Sequence, residues 1–374
     1  MMCRPNPPER AAMPDRILIV KLSSLGDVLH TLPAAQLLRR AFPEATLGWA
    51  IDRGHADLVR GQAFLDRVIT WDRNGLRSFS RFVAELRKTR WELAIDFQGL
   101  LRSAVVSRLS GAQVRVGYTP AREYASLLYN HRVPLATMDR HAVDRSLDLA
   151  RSVCEAFSSL PPVHTQPSRY DDFPLPATAE VRAAVERWLS EHNFDRSRHR
   201  LVALNPHCRK SANRWPAERF AELAVRLAKR EDLRVVLVGG GIARDLCEQI
   251  ALASGRKIWR ADGQFSLLGT AELFRHCSAV VTGDTGPMHI AVAVQAPVVA
   301  LFGPANPVRT GPYSKEAIVL RKALHCSPCF ARSACPLGHA IPPCMGDITV
   351  DEVVQAVEQQ LEHDIGSSNL RKTA

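Results

Sequence analysis

The sequence predicts an α/β fold made of two consecutive doubly wound halves, each a parallel sheet with helices on both faces and a cleft between the halves. Three observations carry this expectation. Ala279–Pro304, AVVTGDTGPMHIAVAVQAPVVALFGP, joins an apolar run to a Gly-Asp-Thr-Gly-Pro turn, a small-residue helix and a second apolar run. That is a strand–loop–helix–strand unit. A similar unit opens near the N-terminus, where Arg16–Leu22 (RILIVKL) runs into Ser23-Ser24-Leu25-Gly26-Asp27. Between them, residues 158–180 are rich in Pro, Ser and Asp and lack periodicity, and the alternation restarts afterwards. Both halves are therefore expected to be Rossmann-like.

The elements follow in order. After the strand at Arg16–Leu22, an amphipathic helix is expected from Asp27 to about Arg40. Thr46–Ile51 and Val68–Trp71 read as strands, Ser78–Lys88 as a basic helix, and Glu92–Asp96 as a strand leading into Phe97-Gln98-Gly99. In the second half Leu201–Asn205 and Val235–Val238 are strands separated by a helix beginning near Pro216. Ile258–Arg260, Ala279–Thr282 and Val298–Leu301 continue the sheet, and Val350–Glu362 is a last amphipathic helix. The expected divisions are a disordered tail over 1–12, an N-terminal domain over 13–170, a C-terminal domain over 171–349, and a helix and tail over 350–374.

A chain of 374 residues, 46% hydrophobic and 23% charged, suits a globular protein of two domains. The charge-free run Thr285–Val308 is too broken by Gly286, Pro287, Pro297, Gly303 and Pro304 to be a membrane span. Met1–Arg10 is polar and proline-rich with no apolar core, so no secretory signal is read, Met13 offers an alternative start, and a cytoplasmic location is expected. The formal net charge is +11. The excess is concentrated, because Arg73–Arg145 holds thirteen Lys/Arg against six Asp/Glu. Such a surplus suits an anionic membrane surface or a phosphorylated, carboxylated substrate. A solvated basic face is the plainer account. Nucleic acid is not expected, since no recognisable module or basic–aromatic alternation is present.

Nine cysteines in a cytoplasmic chain argue against a disulfide framework. Four fall in one loop-like segment, Cys326, Cys329, Cys335 and Cys344, with His339 among them. One CxxC plus two further cysteines can close a tetrahedral zinc site, but the spacings do not match a double knuckle, so a reduced, metal-free loop is expected.

Each half places a glycine-containing loop after an apolar strand, where ligands bind in such sheets. At Gly283–Pro287 free N–H groups and the positive end of a helix dipole suit a phosphate, with Asp284, Thr285 and His289 supplying polar contacts; an ordinary capped turn is the alternative. Asp27 enters a helix and is either a cap or, at the mouth of a cleft, a general base. Asn205-Pro206-His207-Cys208-Arg209-Lys210 and Arg214-Trp215-Pro216 bring cations to a helix start, suiting a diphosphate leaving group or forming a solvated basic turn. Gly239-Gly240-Gly241 is a weaker signal, since it lacks the GxGxxG pattern. No Asp-x-Asp occurs, so the usual paired-carboxylate hold on a metal–diphosphate is missing, and no metal or other cofactor is expected.

Val20-Lys21-Leu22-Ser23-Ser24-Leu25-Gly26-Asp27-Val28-Leu29-His30-Thr31 together with Gly283-Asp284-Thr285-Gly286-Pro287-Met288-His289 resembles glycosyltransferase family 9, whose best-known members are ADP-heptose:lipopolysaccharide heptosyltransferases. The resemblance runs on through Asp96–Ser103, Ala121-Arg122-Glu123, Tyr129-Asn130 and His141–Arg145, spans about residues 14–320, and in these middle segments is nearest to the heptosyltransferase I branch. It implies a GT-B fold and inverting, metal-independent transfer of heptose from ADP-heptose to the Kdo region of lipid A by a monomer on the cytoplasmic face of the inner membrane. It gives Asp27 the role of base, places Asp284, Thr285, Gly286 and His289 on the donor, and places Arg102, Arg122, His141 and Arg145 on the anionic acceptor. Two departures stand out. Many relatives have a donor-contacting lysine two before the Trp-Pro pair; here it is Asn213, with Lys210 or Arg214 as replacement. The Cys326–Cys344 segment resembles the Cys-Ser-Pro-Cys tail of heptosyltransferase II-like branches. Phe265, before a Ser-Leu-Leu-Gly helix start, is either an adenine platform or a core aromatic. The rivals are a family member with another donor or acceptor, a sugar-nucleotide epimerase, and a basic anion- or nucleic-acid-binding protein that has no use for Asp27.

Overall fold

The computed structural model describes residues 13–371, apart from 136, 138, 159–172, 174 and 256–257. The expected tail over 1–12 and most of the expected junction lie outside the described residues. The chain divides into two units, Met1–Phe173 and Pro174–Ala374.

The first unit runs β1 (Arg16–Val20), α1 (Leu25–Leu29), α2 (Leu32–Ala41), β2 (Thr46–Asp52), β3 (Arg67–Trp71), α3 (Gly75–Leu86), β4 (Leu93–Asp96), α4 (Leu101–Leu109), β5 (Val114–Thr119), β6 (His131–Pro134) and α5 (Ala142–Phe157). Its strands form one parallel sheet in the order β3-β2-β1-β4-β5-β6. Ile17, Leu18, Ile19 and Val20 are fully buried, as a strand covered on both faces must be. Tyr129 fills the space above Gly117, where any Cβ would collide with the tyrosine ring.

The second unit runs α6 (Ala179–Glu191), β7 (Arg200–Asn205), α7 (Ala217–Ala228), β8 (Leu233–Leu237), α8 (Arg244–Ala253), β9 (Trp259–Arg260), α9 (Leu267–Arg275), β10 (Cys277–Gly283), α10 (Gly286–Ala293), β11 (Val298–Phe302), α11 (Pro307–Thr310), β12 (Ile318–Arg321), α12 (Pro343–Gly346) and α13 (Val350–Arg371). Its sheet is also parallel, in the order β12-β11-β10-β7-β8-β9. Counted from its own first strand, this is the order of the first sheet, the 3-2-1-4-5-6 arrangement of dinucleotide folds. The expected doubly wound α/β architecture is present in both units. Val353, Val357 and Leu361 of α13 join Trp215, Phe220 and Leu223 in the second core, so the amphipathic stripe read near the C-terminus packs on this sheet.

One expected helix is two. The segment expected to run unbroken from Asp27 to Arg40 divides at His30–Thr31 into α1 and α2. Pro33 has no N–H to give an interior turn and sits in the first turn of α2, where none is needed.

Candidate functional site

In an open parallel sheet the strand order reverses at one place, and the loops flanking that switch point at the carboxyl ends form the ligand crevice. In the first unit the switch lies between β1 and β4, with Val20 level with Asp96. Gln98 stitches the two loops together. Its Oε1 accepts from the backbone N–H of Leu22 at 2.8 Å and of Ser23 at 3.3 Å. Asp27, in the first turn of α1, accepts at Oδ2 from the Ser24 N–H (3.0 Å) and hydroxyl (2.7 Å). Its carboxylate is thereby oriented by the loop that carries it.

Lys21 is the cation beneath this loop. It is buried, and its Nζ donates to the Phe97 carbonyl at 3.0 Å. Burial lowers its pKa, while Asp27 and Asp96 act in the opposite sense and Arg145 adds to the lowering. Asp96 is fully buried and accepts from the N–H groups of Gln98 (2.8 Å) and Gly99 (3.2 Å) and from the Tyr129 hydroxyl (2.6 Å). Burial nonetheless holds its carboxyl above the ordinary range.

Of the expected acceptor residues, His141 and Arg145 come to the Asp27 neighbourhood. His141 caps α5, its Nδ1 accepting from the Val143 N–H at 3.2 Å, and its ring meets that of His30, next after α1, at 5.1 Å between centroids. Arg145 is one turn along. The Tyr118 hydroxyl donates to its carbonyl at 3.0 Å and fixes that turn against β5. Arg102, in the first turn of α4, keeps company with Arg73, Asp52 and Glu123. Its Nε is buried without a hydrogen-bond partner, and burial, then Arg73, holds the guanidinium below its ordinary pKa. Arg73 pairs with Asp52 and reaches the Ser23 hydroxyl at 3.3 Å, joining this cluster to the Asp27 loop. Arg122 is exposed on a 3-10 segment, Arg122–Leu128, with its backbone N–H on the Gly99 carbonyl at 3.2 Å. A cavity of about 500 Å³ also opens in this unit, lined in part by Arg53, Asp72, Arg77 and Arg81.

The second unit repeats the construction between β7 and β10, where Thr282 is level with Asn205. Asn205 Nδ2 donates to the hydroxyls of Thr282 (2.9 Å) and Thr285 (3.2 Å). Gly283 is required, because a Cβ there would stand 2.7 Å from the Cys208 sulfur and 3.2 Å from the Asn213 carbonyl. Thr285 and Gly286 open α10, and His289 lies buried in that helix. Asp284 Oδ2 receives Lys210 Nζ at 3.4 Å and Asn213 Nδ2 at 3.0 Å. A carboxylate repels a phosphate, so Asp284 is suited to holding Lys210 and Asn213 in place. Arg214 instead turns back and donates from Nε to the Cys208 carbonyl at 2.8 Å. Burial pushes the Cys208 thiol up to about 12, with Asp284 adding to it. Phe265 packs its ring edge-on to Trp188, with centroids 5.8 Å apart, and lies against the position of Gly269.

The sequence reading assigned no site role to Lys21, Gln98 or Asn205. Their signal is a polar residue at the end of an apolar strand or in the loop that follows, yet nothing local says which loop it will cross to. The cysteine loop has a structural part of its own. The Ser211 hydroxyl donates to the Ser333 carbonyl (2.7 Å) and the Ala212 N–H to that of Arg332 (3.3 Å), so this loop braces the segment carrying Lys210 and Asn213. Burial, then Cys329, Cys326 and Cys335, raises the Cys344 pKa. Among the described residues no group of three or more His, Cys, Asp or Glu is arranged to hold a metal ion, and no helix is long and apolar enough to cross a membrane.

Relatives of this chain include proteins named Lipopolysaccharide heptosyltransferase 1. The protein from Pseudomonas aeruginosa is 31% identical over 85% of this chain and 87% of its own length, and that from Escherichia coli K12 is 30% identical over 82% and 93%. Among solved structures, E. coli heptosyltransferase WaaC with ADP-2-deoxy-2-fluoro heptose is 26% identical, with a TM-score of 0.68 over 92% of this chain and 99% of that one. A family 9 glycosyl transferase from Veillonella parvula shares the fold, with a TM-score of 0.79 at 23% identity over 93% and 97%. The two parallel six-stranded sheets are thus those of a GT-B glycosyltransferase. Residues 79–340 match the family Glycosyltransferase family 9 (heptosyltransferase). On this match and on identity sustained over most of its length, the chain belongs to glycosyltransferase family 9 and is a glycosyltransferase.

Proposed function

We propose that this glycosyltransferase moves heptose from ADP-heptose to the Kdo region of lipid A with inversion and without a metal ion, working peripherally on the cytoplasmic face of the inner membrane. The observation that carries the reading is Asp27, held by Ser24 at the first switch point with buried Lys21 beside it. In this role the Asp27 carboxylate accepts the proton of the acceptor hydroxyl as the acceptor oxygen bonds to the anomeric carbon. The anomeric C–O bond to the diphosphate breaks on the opposite face, and ADP leaves with the bonding electrons. Negative charge growing on the diphosphate meets the N–H groups at the start of α10 and the Lys210 ammonium. Thr285 and Gly286 bring backbone to that anion, His289 supports the helix start, and Phe265 offers a ring for the base. Lys210 is the better replacement for the missing lysine at Asn213, because Arg214 is turned to the Cys208 carbonyl.

Arg102, Arg122, His141 and Arg145 bind the acceptor's carboxylates and phosphates. Arg102 supports this best, since a buried guanidinium donor without a partner is costly until an anion arrives. The relatives' names support heptose as the sugar and lipopolysaccharide as the product.

The test is transfer from ADP-heptose to Kdo-bearing lipid A in EDTA. Product of inverted anomeric configuration is expected. No product, with ADP still bound tightly, would contradict the assigned sugar and acceptor.

A further inference from the structure

The 3-10 segment Arg122–Leu128 leaves apolar side chains uncovered. Tyr124 is 81% exposed and Leu127 69%. Leu101, at the start of α4, is 45% exposed and adjoins them, because its backbone N–H donates to Glu123 Oε2 at 3.1 Å. Two consecutive non-glycine residues, Glu123 and Tyr124, have φ of 55° and 58°. This left-handed turn is a costly conformation for side-chain-bearing residues and turns the Tyr124 ring outward. Beneath it the segment is anchored, since Ala125 and Tyr129 pack with Ala104 of α4. The projection is therefore built on a rigid base.

The rim is cationic. Arg122 is exposed within the segment, Arg102 lies near Glu123, and Arg115 donates from Nε to the Leu128 carbonyl at 3.0 Å with Arg108 close by. The carboxylate within the segment, Glu123, is already engaged by the Leu101 N–H. An aromatic residue and two leucines ringed by arginines match the interface of an anionic bilayer, where Tyr and Leu enter the headgroup layer and Arg meets phosphate.

We propose that the Leu101–Tyr124–Leu127 face with its arginine rim docks the enzyme on an anionic lipid bilayer. The proposal deepens the reading of a lipid-anchored acceptor, and it rests on that reading only for its effect on turnover. Docking itself needs no acceptor. The test is co-sedimentation of the full chain with acceptor-free vesicles of phosphatidylcholine alone or mixed with phosphatidylglycerol. Binding is expected to the mixed vesicles and to weaken as salt rises. The double variant Tyr124→Ser/Leu127→Ser is expected to bind at least about tenfold more weakly, because it loses insertion of two apolar side chains. Its thermal midpoint and its transfer to a detergent-dispersed acceptor are expected to match the parent, since both side chains lie outside the core. Equal binding by parent and variant, or no binding by the parent, overturns the proposal. So does a dimer, or nucleic-acid binding, that the double variant loses while vesicle binding persists. A chain that docks on vesicles yet transfers no heptose would leave this surface standing and sink the assigned reaction instead.

Discussion

Lys210 and Arg214 are four residues apart and carry the same charge, yet their surroundings give them different work. Lys210 extends to Asp284 beside the start of α10, whereas Arg214 caps a carbonyl of its own loop. Lys210→Ala is therefore expected to raise the Kd for ADP by about tenfold or more, the effect of one charge-assisted contact, and Lys210→Arg to recover part of it. Arg214→Ala is expected to change it by less than about threefold. Calorimetric titration of ADP against the three variants checks this. Asp96 gives a second prediction. Because burial holds its carboxyl above the ordinary value of 3.8, the folded chain binds this proton more tightly than the unfolded one. Its contribution to stability is complete below about pH 4 and is lost as pH rises through the folded-state value. Asp96→Asn is expected to flatten the decline of the urea midpoint with rising pH over that window. Tyr129→Phe, which removes a donor to the buried group, is expected to cost about 1–3 kcal/mol.

At the scale of elements, the loops after β7 and β10 are packed without slack. Gly283→Ala would press a methyl against the Cys208 sulfur and the Asn213 carbonyl. A stability loss of about 1–3 kcal/mol is expected, together with weaker ADP binding because Asn213 must shift. Chemical denaturation and ADP titration of the same variant check both. Elements with a simple pattern were legible in the sequence. RILIVKL and AVVTG announce buried parallel strands, and both lead into the loops at the carboxyl ends of their sheets. Three strands were missed. VRVGYT of β5 mixes arginine and glycine into its alternation, HRVP of β6 holds one buried apolar residue, and β12 is four residues at a sheet edge. The candidate site was legible in part for a related reason. Asp27 and Asp284 stand in loops that signal themselves, but the partners Gln98, Asn205 and Lys21 acquire meaning only when the switch point sets distant loops side by side.

Across the whole chain, one topology is used twice with charge placed differently along it. Arg73–Arg145 of the first unit holds thirteen cations against six anions, while the second places Lys210 at the start of a single helix. An acceptor rich in phosphate and carboxylate matches the first pattern, and a nucleoside diphosphate matches the second. Arg145→Glu is accordingly expected to raise the acceptor KM by about tenfold or more, leaving ADP affinity within about twofold. Equal loss of both would mark a folding defect. In the proposed reaction a carboxylate of the first unit activates the acceptor while the second unit holds the leaving group. Asp27→Asn tests this division of labour, with turnover and ADP affinity measured on the same preparation. Transfer is expected to fall by at least about a hundredfold while the Kd for ADP stays within about twofold. Transfer at the parental rate would remove Asp27 from the role of base.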